Sequence, residues 1–90
     1  MIPELQALVD MLNTNLNKKE VELSSQENYD SYTMGEILNR KKDIAAFASA
    51  AESATIDTTL KRDVIINFTK GAYSIISDID KIKNRTIISS

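Results

Sequence analysis

Histidine, cysteine and tryptophan are absent from this 90-residue chain, proline occurs once, at Pro3, and glycine only twice, at Gly35 and Gly71. Without cysteine there is no disulfide and no thiolate metal site. Without histidine, the side chain that titrates nearest neutral pH and the commonest nitrogen ligand for metals are both missing. With no proline after Pro3, nothing covalent stops a helix over the remaining length. No apolar run approaches the roughly 18 residues that a membrane-spanning helix requires, so no membrane partner is expected.

What remains is 42% hydrophobic and 27% charged, a composition that folds rather than staying disordered. A chain this short hides only roughly 60–65% of its unfolded surface, which leaves a thin margin of stability that a partner or a second copy would widen. The opening Met1-Ile2-Pro3-Glu4 carries no basic segment followed by an apolar one, so the cytoplasm is the expected compartment. Asn67-Phe68-Thr69 and Asn84-Arg85-Thr86 match the glycosylation pattern, and without a secretory route both read as chance.

Charge is unevenly placed. Residues 1–32 hold two lysines against six acids, whereas residues 33–90 hold nine Lys/Arg against seven acids. An acidic first segment beside a mildly basic remainder favours packing of one on the other, within the chain or between copies, though a solvated surface explains so small a split about as well.

The apolar pattern predicts an all-α protein of three helices, near 3–23, 33–54 and 57–84, forming one domain with a frayed or partner-docked tail at 85–90. The architecture expected is an antiparallel bundle or a helical hairpin completed by self-association. In the first helix, Ile2, Leu5, Val9, Leu12, Leu16 and Leu23 step by three and four, broken only at Lys19. Pro3 suits the first turn, where its missing N–H costs nothing. Asn13, Asn15 and Asn17 weaken this helix because their side chains compete for backbone hydrogen bonds.

The polar run Ser24–Tyr32 reads as a connection, and Thr33-Met34-Gly35-Glu36 as the capping box of the second helix, with Tyr32 and Ile37 as its staple. That helix presents Met34, Ile37, Leu38, Ile44, Ala45, Ala48 and Ala51 on one side, and Glu36 and Arg40 are spaced to pair. The β-branched cluster Thr55–Thr59 marks a break, with Thr55 or Asp57 as the next cap. In the third helix, Ile65, Phe68, Ala72, Ile75, Ile79 and Ile82 form the cleanest stripe, and Ile66, Tyr73 and Ile76 lie beside it. The stripe is wider than a hairpin requires, which suits a helix with two neighbours. Gly71 within it costs about 1 kcal/mol relative to Ala.

No residue constellation points to catalysis. Asp78 and Asp80 diverge on a helix, as do Glu20 and Glu22, and no glycine-rich turn cradles a phosphate; no cofactor and no metal is expected. The functional expectation is a small non-catalytic interaction protein, an assembly component, adaptor or inhibitor, whose composition would suit a phage or mobile element. The interface residues expected are Phe68, Tyr73, Ile75, Ile76, Ile79 and Ile82, set against the ordinary alternative that any one of them is simply core. A competing reading is a transcriptional regulator with a degenerate helix-turn-helix over Ile44–Leu60, contacting nucleic acid through Arg40, Lys41, Lys42, Lys61 and Arg62, with Thr58 and Thr59 on its reading helix. Against it stand a turn without the usual glycine and an isoelectric point near 5.0.

Overall fold

The structure is a computed structural model that describes residues 1–54 and 61–85. It contains three helices, α1 (Pro3–Ser24), α2 (Ser31–Ser53) and α3 (Lys61–Asp80), and each packs against the other two. Glu4 meets Lys61 at one end and Leu23 meets Asn84 at the other, so α1 and α3 run in the same direction and α2 runs against both. No described residue lies in a strand, and no helix is long and apolar enough to cross a membrane.

The stripe of α1 becomes the centre of the core. Leu5, Val9, Leu12, Leu16 and Leu23 are buried, and Leu12, Leu16 and Leu23 cluster with Ile37 and Ile44 of α2, Ala72 and Ile79 of α3 and Ile82 just beyond it. Pro3 opens α1 as expected, after Ile2 in an extended conformation. Asn15 turns its amide back onto the Met11 carbonyl at 2.8 Å, the local competition that makes Asn a weak helix former.

The start of α2 differs from the expected capping box. Asp30, not Thr33, is the N-cap, and its Oδ1 accepts from the Thr33 backbone N–H at 2.9 Å and from the Thr33 hydroxyl at 3.0 Å. Thr33 is fully buried and spends its hydroxyl on that carboxylate, so it cannot cap the helix itself. The staple fails for the same reason, because Ile37 goes to the core while Tyr32 stays 57% exposed. Met34 and Leu38 also part from the expected apolar side of α2 and stand 46% and 52% exposed. Arg40 does not pair with Glu36. It turns to Asp43, with Nε to Oδ2 at 3.0 Å, and to Asp78 of α3 at 3.7 Å.

α3 ends at Asp80, four residues before the expected stop. The Lys81 N–H still bonds to the Ser77 carbonyl four residues back, and the turn then tightens through the Ile82 N–H to the Ile79 carbonyl. Leaving the helix lets Ile82 reach the core and Asn84 donate to the Leu23 carbonyl, contacts that a continued helix would forgo. The expected break and caps at Thr55–Thr59, the start of the third helix at 57, and the tail beyond Arg85 lie outside the described residues.

Candidate functional site

Two stripes run along α3, and the fold sorts them. Ala72 and Ile79 face the centre, and Ile75 and Ile76 pack partly buried against the core. Phe68 meets Phe47 of α2 edge to face, with ring centroids 5.3 Å apart at 83°. Gly71 lies beside the same ring: a methyl placed there would meet Phe47 Cε2 at 3.7 Å, an ordinary contact. Of the six residues expected at an interface, Ile79 and Ile82 are therefore taken by the chain's own core and are not open to a partner. Tyr73 is the one that stands well out, at 60% exposure.

Ile66, absent from the expected interface set, stands 40% exposed. Seven residues separate it from Tyr73, close to two turns at 3.6 residues each, so the two share one outward line. Arg62 and Asp80 fall near the same line at its two ends, both exposed. Eighteen residues make five turns, which puts these opposite charges on one side of the helix roughly 27 Å apart. The signal for Ile66 was present in the second apolar set of the sequence. The sequence alone did not say which of two adjacent stripes a three-helix core would claim.

The basic residues of the nucleic-acid reading are largely occupied by acids. Arg40 bridges Asp43 and Asp78, Lys41 Nζ lies 3.0 Å from Glu20, and Lys61 Nζ lies 3.3 Å from Glu4. Lys42 and Arg62 are exposed and make no ion pair among the described residues. Arg40 and Lys41 are drawn toward different neighbouring helices, so the five cations do not form one patch. The polarity split noted in the sequence is used here inside the chain, since Glu4 and Glu20 of the acidic first segment hold Lys61 and Lys41 of the remainder.

Between the first half of α2 and the end of α3 lies an open groove of about 490 Å³, lined among others by Tyr32, Gly35, Glu36, Arg40, Asp78 and Lys81. Its walls carry both signs of charge, with no net preference for an anion or a cation. A clasp closes the adjoining end of the bundle. Arg85 donates from Nε and Nη2 to Asp30 Oδ2 at 3.0 and 2.7 Å and sits 4.8 Å over the Tyr32 ring. Asn28 donates to the Arg85 carbonyl, and Asn84 donates to the Leu23 carbonyl and the Gln26 side chain, each at 3.0 Å. The Thr33 N–H, and then Arg85, hold the Asp30 carboxyl well below its ordinary value, at about 2.

Among the described residues no three His, Cys, Asp or Glu side chains gather as a metal site. Comparison with protein-family models, with curated proteins and with solved structures gives no match.

Proposed function

We propose that this chain is a small non-catalytic interaction protein, an assembly component, adaptor or inhibitor, that works by presenting the outer face of α3 to another protein. The observation that carries the reading is the exposure of Ile66 and Tyr73 on one line of α3. An exposed tyrosine beside an exposed isoleucine offers a large apolar body with a polar tip, the composition enriched where proteins meet. The non-catalytic part rests on the sequence, which supplies neither a histidine nor a cysteine to activate or act as a nucleophile.

A photo-crosslinking residue at position 73 tests this in the host extract, with the same residue at exposed Ser49 of α2 as control. The expected result is a discrete adduct from position 73 that Ile66→Asp removes, with none from position 49. Equal labelling from both positions, or no adduct from position 73, overturns the proposal.

A further inference from the structure

The occupant of this face follows from its charge order. Along α3 the strip reads Arg62, Ile66, Thr69, Tyr73, Ile76, Asp80: a cation at one end, an anion at the other and apolar contact between them. Such a strip is complementary to itself when reversed. A two-fold axis crossing α3 at the level of Gly71 sets Arg62 opposite Asp80 of a second copy, Ile66 opposite Ile76, and Thr69 opposite Tyr73. Each pairing then occurs twice, as a closed symmetric dimer requires.

We infer that the outer face of α3 binds a second copy of this chain, antiparallel helix to helix, with Arg62 and Asp80 as reciprocal ion pairs flanking Ile66 and Tyr73. The inference rests on the reading of α3 as the interaction face and names its partner. Three observations favour this occupant over an unrelated one. Arg62 and Asp80 form no ion pair within the described chain, unlike Arg40, Lys41, Lys61 and Arg85. Their spacing is a whole number of turns, so both charges lie on the one face that a reversed copy of the helix would meet. The surface beside Arg62, Ile65 and Ile66, with Lys61 at its edge, is shallow and open, so a reversed helix can lie against that end of the strip. The other exposed apolar set, Tyr32, Met34 and Leu38 of α2, has no such frame: Lys42 beyond Leu38 makes no ion pair among the described residues, but Asp30, the acid four residues before Met34, is already held by Arg85, which also covers the Tyr32 ring.

Sedimentation equilibrium on the full chain, from about 1 μM to about 1 mM, spans the affinities at which a small symmetric interface is readable. A monomer–dimer equilibrium is expected for the wild type. Tyr73→Asp and, as a second position, Ile66→Asp should leave monomers whose helical circular dichroism is unchanged, both sites being solvent-exposed. Arg62→Asp should weaken association by roughly tenfold, because two attractive pairs become repulsive, and adding Asp80→Arg should restore it. Restoration is the decisive readout, since a structural effect of either residue would not be repaired by the other.

A chain that stays monomeric over the whole range overturns the inference, and so does a dimer indifferent to Tyr73→Asp or unrestored by the double exchange. The crosslink from position 73 separates this failure from failure of the broader reading. An adduct of twice the chain mass marks the second copy. An adduct of another mass, from a chain that is monomeric, removes the dimer and leaves the interaction face. The absence of any adduct removes both.

Discussion

The two ends of the bundle are fastened by different means. At the end holding the α1–α2 turn, Asp30 caps α2, grips Arg85 and buries Thr33, while Asn84 and Asn28 tie the segment after α3 to that turn. At the other end, the visible polar fastening between α1 and α3 is the half-exposed Glu4–Lys61 pair, and cohesion comes from Leu5, Val9, Ala51 and the Phe47–Phe68 contact. Directional hydrogen bonds fix where a chain segment must lie, whereas apolar packing fixes only what must be covered. The first end has one arrangement of its polar groups. The second is held by burial and tolerates sequence change more readily.

The largest effect expected is common to both ends. Truncating Leu12 or Ile37 to Ala, both almost fully buried, should lower the unfolding free energy by about 2–5 kcal/mol in urea titration. A loss below about 1 kcal/mol at Ile37 would mean that α2 is not seated as described.

Next comes the clasp, where acid separates the two ends. Asp30 has its carboxyl depressed from 3.8 to about 2, so the stability it adds is fully present above pH 4 and is lost as pH falls toward 2. Asn is as good an N-cap as Asp, so Asp30→Asn should keep α2 capped, be less stable than the wild type at pH 6, and lose less on acidification. Thermal melts of the two proteins between pH 6 and pH 2 should therefore converge. If instead the gap stays constant with pH, the Asp30–Arg85 contact is not a stabilising one.

At the packed end, Gly71→Ala should raise stability by up to about 1 kcal/mol, because the helix interior gains propensity and the new methyl only touches Phe47. Gly35→Ala, with nothing within 4 Å of its would-be methyl, provides the matched comparison near the clasp. A destabilised Gly71→Ala would show that α2 and α3 approach more closely there than the Phe47 contact implies. The smallest effect belongs to Lys61→Ala. A single partly exposed pair contributes little against solvent screening, so the melt should be unchanged within error, in contrast to Arg85→Ala at the clasped end.

The contrast between the ends also marks where the sequence was legible. Periodicity located α1 within one residue and identified its buried face, because a strict three-and-four stripe admits one inward side. It placed α2 within two residues but chose the wrong cap. Thr33 and Asp30 are both good N-caps, and the choice fell to a carboxylate that also serves Arg85, 55 residues away. It overran the end of α3, since the pull of Leu23 and Asp30 on Asn84 and Arg85 has no local signature. At the candidate face, Tyr73 stands exposed while Ile79 and Ile82, read from the sequence as interface residues, lie buried in the core, because adjacent apolar stripes are equivalent until neighbours cover one of them.

By itself the amino-acid order determined the helical class, the number of helices and the core line of α1, all of which follow from local propensity and the period of burial. Only the tertiary structure decided which stripe of α3 is spent on the core, which residue starts α2 and how the segment after α3 is anchored. Those outcomes depend on groups distant in sequence competing for the same apolar surface and the same hydrogen bonds, and that competition is resolved only when the helices meet.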